Sequence, residues 1–360
     1  MRLNYKKLGE YIRPVDERNS NGILGEDDLY GISVSKDFIT THANLVGVTF
    51  DNYKVVAPKQ FAYIPDTSRR GDKIAISLNK FGKTIIVSSI CSVFEVVDDN
   101  QLLPEYLMLW FSRPEFDRYA RFMSNGSARE VFDWDCMCSV ELPIPPIEEQ
   151  RKIVHDYQVI TDRIALLRKI NEKLESVCNI LFDELSDKVY KRGLSHLGNF
   201  IKFGNGKSRP STMGAIPVYG GNGVLSYTDK SNAENVVIIG RVGAYCGSVF
   251  IEQKPCWISD NAIVAKSLVS ENEFFDYCLL KKLNLYNHHV GTGQQLLTQG
   301  ILKAISCPDY ATEEICDFNK KTELLFNSIK HHDQEINSLK NISALLLANL
   351  ASAESWNVCF

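Results

Sequence analysis

Residues Leu142–Leu185 read LPIPPIEEQRKIVHDYQVITDRIALLRKINEKLESVCNILFDEL. Apolar residues recur at Ile153, Ile160, Leu167, Leu174 and Leu181, one every seven positions, and Ile164, Ile170, Val177 and Leu185 broaden the stripe on the same side. A seven-residue period held over this distance predicts one helix about 60 Å long, at about 1.5 Å per residue. Pro145 and Pro146 suit its first turn, where a missing N–H leaves no bond unmade, and Glu148 and Glu149 complement the positive end of the helix dipole. A seam this narrow calls for a second helix to cover it.

The chain supplies that helix by repeating itself. Residues 311–350 return to a helical pattern through Ile315, Phe318, Leu325, Ile329, Ile336, Leu339, Ile342, Leu346 and Leu350. Gly126 matches Gly291, Pro143 matches Pro308, Glu148-Glu149 matches Glu313-Glu314, and Leu174, Leu181 and Leu185 match Leu339, Leu346 and Leu350, every pair 165 residues apart. Further upstream, LGEYI at Leu8–Ile12 matches LGNFI at Leu197–Ile201 at a separation of 189, so the first globular domain is the longer by 24 residues. An antiparallel pairing of the two helices within one polypeptide would put the two domains at opposite ends of a helical spacer. His332 falls where the first helix has Leu167, and Glu335 where it has Ile170; polar residues in a seam can set its register.

Outward from the helices, both globular parts have a mixed pattern. In residues 1–146, Lys73–Leu78, Thr84–Val87 and Ser92–Val97 are rich in Ile and Val and read as strands, while Glu105–Phe111 and Glu115–Met123 read as short helices broken at Pro114. A basic hinge, Lys188–Gly193, ends the first long helix. In residues 194–310, Ile216–Tyr219 runs into the turn Gly220-Gly221-Asn222-Gly223; Val236–Ile239 and Ser248–Ile251 flank GRVGAYCG; Trp257–Ile258 and Ala262–Ala265 continue the strands, and Glu271–Leu283 reads as a helix. The expected architecture is therefore α+β, with two mixed α/β domains (1–146 and 194–310), two helical spacers (147–193 and 311–352) forming an intramolecular coiled coil with a pseudo-twofold internal repeat, and a tail at 353–360.

Composition narrows the class. At 360 residues and 44% hydrophobic there is material for more than one core. No apolar run approaches the roughly 20 residues of a membrane span, and the first residues lack the apolar stretch of a secretion signal, so a cytoplasmic protein is expected. Ten cysteines without a C-x-x-C pair read as reduced, buried thiols; Cys136 and Cys138 do not have zinc-finger spacing. The net charge of −4 gives no general nucleic-acid signal, although residues 194–310 alone carry a net +2.

Most catalytic readings fail on spacing. Gly206-Lys207-Ser208 resembles the end of a phosphate loop, but the glycine required five residues before Gly206 is Ile201. Pro65-Asp66 and Asp72-Lys73 lack the acidic-x-Lys element of a nuclease. His288-His289 and His331-His332 are adjacent and cannot share a helix face as metal ligands. Pro143–Pro146 lacks the Asn or Asp and the aromatic that flank a methyltransferase Pro-Pro pair. An enzyme working alone is not expected.

Polar, glycine-rich loops remain. Ser124–Arg129, with Ser127 and Arg129, and Gly291–Gln295, with Thr292, Gln294 and Gln295, occupy matching places before the two helix starts. Gln pairs bidentately with adenine and Arg with guanine, so both loops are candidate readers of base edges. Gly204–Arg209, with Lys207 and Arg209, and in the first half Ser68-Arg69-Arg70 and Asn79–Lys83, with Lys80 and Lys83, are candidates for phosphate or base contact. Ordinary surface turns have the same composition.

Together these stretches resemble the specificity subunit of type I restriction–modification systems. LPIPPIEEQRKIV is similar to the opening of that family's first conserved helical region, and IPVYGGNGVLSYTD, VVIIGRVGAYCGSVF and CWISDNAIVA to one of its target-recognition domains. The second copy departs at Pro308-Asp309-Tyr310-Ala311, where the first has Pro143–Pro146. The resemblance implies a non-catalytic subunit whose two domains each read half of a bipartite site in double-stranded DNA, and it adds Tyr219, Asn222 and Arg241 to the candidate DNA contacts. It implies helices that act as a ruler and dock two modification (methyltransferase) subunits. It implies no cofactor on this chain: S-adenosylmethionine would sit on the methyltransferase subunits, which methylate adenine, and ATP and Mg on restriction subunits. A two-domain coiled-coil scaffold that binds only protein is the alternative, and its charge balance is equally compatible.

Overall fold

The computed structural model describes residues 5–41, 47–67, 73–124, 130–271, 273–291 and 293–351. The chain forms two compact units: Met1–Ala165 with Ile336–Phe360, and Leu166–Glu335. Each contains one mixed domain and a stretch of both long helices.

In the first unit a four-stranded antiparallel sheet runs in the order Ile12–Val15, Ser92–Val96, Phe61–Ile64, Ala75–Leu78. Its inner face stacks Phe61 on Phe94, ring centroids 4.8 Å apart, with Phe111 edge-on to both. Phe111 ends the helix Pro104–Phe111, which is apolar on every side and correspondingly buried. In the second unit the matching sheet runs Ile201–Asn205, Ala262–Ser267, Val236–Gly240, Val249–Glu252, again antiparallel throughout. Beside it lie the hairpin Ile216–Gly220/Gly223–Thr228 and the strand Trp257–Ile258. The core gathers Phe182, Phe275, Phe318 and Tyr310, and stacks Phe274 on Phe326 at 4.4 Å.

The repeat is visible in the hydrogen bonding. Tyr5 pairs with Pro143 and Leu194 with Pro308, so the two strand pairs that close the domains share one register and obey both sequence offsets, 189 and 165. LGEYI and LGNFI each make a single 3₁₀ turn with a buried first leucine.

The first long helix spans Ile147–Val189, 43 residues. It starts where the first spacer is expected, with the prolines before its first turn rather than in it, and runs into the basic hinge. Leu142 belongs to the closing strand, and the prolines precede the helix, where the Pro146 carbonyl accepts from the N–H groups of Glu149 (2.9 Å) and Gln150 (3.1 Å). Gln150 is fully buried; its amide donates to the Gln101 (2.9 Å) and Pro145 (2.8 Å) carbonyls and accepts from Leu103 N–H (2.9 Å), fastening the helix to the first domain. Lys188 and Val189 are still helical, so the basic hinge reduces to the turn Tyr190–Arg192 and Gly193. The second long helix, Thr312–Asn349, begins 165 residues after the first despite its different lead-in. There Glu314 accepts from Ala311 N–H at 2.9 Å and takes a bidentate ion pair from Arg192, which holds its carboxyl below the usual range.

The helices pair antiparallel within each unit. In the first, Ile153 shares a core with Leu350; in the second, Phe182 packs on Phe318. Val177, expected in the seam, is 44% exposed, and its neighbour Cys178 and then Phe182 are buried instead. Spacing explains the correction: two rows of sevens, Ile153, Ile160, Leu167, Leu174 and Tyr157, Ile164, Asn171, Cys178, are buried or half-buried and interleave in steps of four and three, and Val177 lies one residue before the second row. Asn171 is the polar member, donating to Asp333 Oδ1 (3.0 Å) and bonded through Oδ1 to His332 Nδ1 (2.7 Å).

Candidate nucleic-acid interface

In the second domain four stretches that are separate in sequence meet at one end of the main sheet. Strands Val236–Gly240 and Val249–Glu252 are joined by Arg241–Ser248. This loop is tied to Val290–Leu297 by backbone bonds: Leu297 N–H donates to Arg241 O (2.9 Å), Gly243 N–H donates to Gln295 O (3.0 Å), and Val242 bridges Leu296. Val290 and Leu296 exchange both of their own bonds, each 2.9 Å, which closes the base of the connection between them. The hairpin tip Gly220–Gly223 joins them through Ser248 Oγ, which donates to Gly221 O. Asn205–Lys207 comes alongside, Lys207 N–H donating to Ile258 O at 2.9 Å. Gly243 takes φ +72°, and a Cβ on Gly240 would collide with the Tyr245 carbonyl, so the loop needs glycine at both positions.

The first domain repeats this construction. The connection from Phe61–Ile64 to Ala75–Leu78 begins at Pro65; Phe132 N–H donates to Pro65 O (2.9 Å), Thr67 N–H to Glu130 O (3.2 Å), and Asp66 bridges Val131. Bond for bond this is the second-domain ladder, with Val131 and Leu296 again 165 apart. Side chains differ at every rung while the backbone bonds stay.

The candidate side chains distribute unevenly. Asn222, Gln294 and Lys207 are exposed on this end of the second domain, Gln295 is half-buried beside them, and Arg209 is exposed two residues beyond Lys207. Arg241 is half-buried: one guanidinium nitrogen reaches Asp260 O at 3.5 Å, and Nε has no hydrogen-bond partner among the described residues. Tyr219 donates its hydroxyl to Glu252 at 3.0 Å; burial and that carboxylate push its pKa up. In the first domain Lys80 is exposed on the lip of a groove of about 880 Å³. Lys83 donates to Asp28 at 2.9 Å, which raises the lysine and lowers the aspartate. The loop between them is shaped by buried Asn79, whose amide donates to Val56 O and Lys83 O, both 2.9 Å, and accepts from Phe81 N–H at 3.0 Å. Arg69, Arg70, Ser127, Arg129 and Thr292 lie outside the described residues.

Sequence reading misses the ladder, because its bonds are backbone and leave no residue signature. It also passes over Tyr245, 53% exposed inside GRVGAYCG, where the surrounding glycines speak only of a turn. Cys136 and Cys138 are free thiols, both raised by burial, and no group of three or more His, Cys, Asp or Glu among the described residues could hold a metal. No helix of the described residues is long and apolar enough to cross a membrane.

A duplicated mixed domain that presents polar loops from one end of its sheet, joined to a pair of long antiparallel helices, defines the DNA-specificity subunits of type I restriction–modification systems, a non-catalytic class. The type I restriction modification DNA specificity domain matches residues 6–176 and again 195–338, and the chain belongs to that family. It is 24% identical over 308 residues to the type I restriction enzyme MjaIX specificity subunit of Methanocaldococcus jannaschii, covering 72% of this chain and 71% of that one. Its fold is that of the type I restriction-modification system S subunit from M. genitalium, with a TM-score of 0.64 and 16% identity over 97% of this chain and 96% of that one.

Proposed function

We propose that this chain gives a type I restriction–modification complex its DNA target, each domain reading one half of a bipartite site in double-stranded DNA. The observation that carries this reading is the ladder-held pair of loops at equivalent places in both domains. In the second domain Asn222, Thr292, Gln294 and Gln295 read base edges, with Arg241, Lys207, Arg209 and Tyr219 as further DNA contacts. In the first, Arg69, Arg70, Ser127 and Arg129 take the equivalent loops, and Lys80 and Lys83 contact phosphate. Residues 1–146 and 194–310 are the recognition domains, 147–193 and 311–352 the spacers, 353–360 a tail. The outward faces of the helices dock two modification subunits carrying S-adenosylmethionine, and restriction subunits bring ATP and Mg; the complex works in the cytoplasm, where its DNA is.

Mapping N6-methyladenine across the genome with and without this chain tests the reading. A bipartite motif should appear only with it. Gln294→Ala or Gln295→Ala should weaken methylation through one half-site by about 1–3 kcal/mol per lost bidentate contact while the complex stays assembled. A methylation pattern indifferent to the chain would overturn the assignment.

A further inference from the structure

Tyr245 is not among the candidate DNA contacts, yet its place in the second domain is fixed. It closes the single 3₁₀ turn Gly243–Tyr245, which Gly243 enters at positive φ and whose carbonyl packs against Gly240. The turn is held on one side by Gly243 N–H on Gln295 O at 3.0 Å, and on the other by the hairpin tip, where a Cβ on Gly221 would lie 3.8 Å from Tyr245 Cβ. The neighbour of Gly221 at that tip is Asn222, exposed and without a hydrogen bond among the described residues. An exposed tyrosine, 53% accessible and carried on a braced turn, therefore adjoins the hairpin tip whose next residue offers a free carboxamide. An isolated exposed aromatic needs no explanation. One on a braced turn against a tip that carries a free amide, on loops proposed to face DNA, offers two complementary contacts: a bidentate donor–acceptor pair and an apolar surface.

We propose that Asn222 and Tyr245 together read one A·T pair of the second half-site. Asn222 pairs with adenine N6 and N7, and the Tyr245 ring packs on the C5-methyl of thymine. Adenine with its amino donor and N7 acceptor, and thymine with its methyl, are the features that distinguish this pair in the major groove. The hydroxyl of Tyr245 is not required. This inference rests on the second domain being a DNA reader and goes further by naming the base pair and the group recognised.

The test uses the full-length protein assembled with its modification subunits and duplexes bearing the methylated site found by mapping. Each thymine of the second half-site is replaced in turn by deoxyuridine, which removes only the methyl. At one position binding should weaken about fourfold, the effect of losing one buried methyl group. Tyr245→Ala should bind the thymine and uracil duplexes equally, Tyr245→Phe should keep the difference, and Gln294→Ala should keep it despite weaker binding. A half-site without an A·T pair, no sensitivity to uracil at any position, or sensitivity that survives in Tyr245→Ala would overturn the proposal. A wild-type complex that selects no site at all would instead overturn the reading of the domain on which it rests.

Discussion

Two carboxylic acids sit where charge is least welcome. Glu273 and Asp276, 1% and 2% exposed at the start of the helix Phe274–Lys282, face each other under the second domain. Glu273 accepts from Ser267 N–H at 2.7 Å, but its other oxygen and both oxygens of Asp276 have no hydrogen-bond partner among the described residues. Lys266 is the cation near them, and it is set against burial and against the neighbouring acid. Burial raises both carboxyls above their ordinary range, so the folded protein holds protons that the unfolded chain releases. With folded pKa values above unfolded ones, the stabilising contribution is complete below the ordinary carboxylate range and is lost as pH rises through the raised values. Thermal stability should therefore decline from mildly acidic to mildly alkaline solution. Glu273→Gln should flatten that decline and raise the midpoint at pH 8 by a few degrees, about 2–4 °C per kcal/mol for a unit of this size. Calorimetry at pH 5 and pH 8 checks this, and an equal shift at both pH values would contradict it.

At the scale of elements, the long helices pair within each unit through a mostly apolar seam, crossed in the second by a polar contact. Asn171, 8% exposed, joins His332 and Asp333 across the second unit. Apolar seam residues tolerate sliding, whereas a buried carboxamide is satisfied in one register only. Asn171→Ala should lower unfolding stability by about 1–3 kcal/mol, measured by urea denaturation, because it strips a buried partner from His332 and Asp333. A loss within about 0.5 kcal/mol, the range of an ordinary surface substitution, would show that the crossing is ornamental. His332 is legible in the sequence as a polar seam residue, but its partner is not, since Asn171, seven after Ile164, is polar and the apolar pattern passes to its neighbour Ile170. Val177 continues that neighbouring row and so lies one residue before the buried Cys178. Pro145 and Pro146 precede the helix rather than opening it, because a proline suits both the first helical turn and the residues just before it. Strands and turns are legible where Ile and Val runs end in glycine. Gln150, which the pattern leaves as one more polar helix residue, gives no hint of its burial.

For the whole molecule, the ruler reading makes a metric prediction. A heptad inserted at matched positions in both long helices adds about 10 Å, at 1.5 Å per residue. That corresponds to about three base pairs at about 3.4 Å each, so methylome mapping should return the same half-sites separated by a longer gap. An unchanged gap would end the ruler idea. What each half-site says is not legible in the sequence, because base identity depends on a handful of loop side chains whose neighbours come from distant stretches. The ladder that joins those stretches also bears on descent. All its bonds run from backbone N–H to backbone carbonyl, as in Thr67 to Glu130 and Gly243 to Gln295. These rungs do not depend on side-chain identity, although Thr67 Oγ1 and Ser248 Oγ add bonds of their own and Gly243 needs its positive φ, so mutation at the remaining rungs can explore new chemistry while the ladder stays. The protein is thus built to evolve: its vocabulary can drift while its grammar stays fixed.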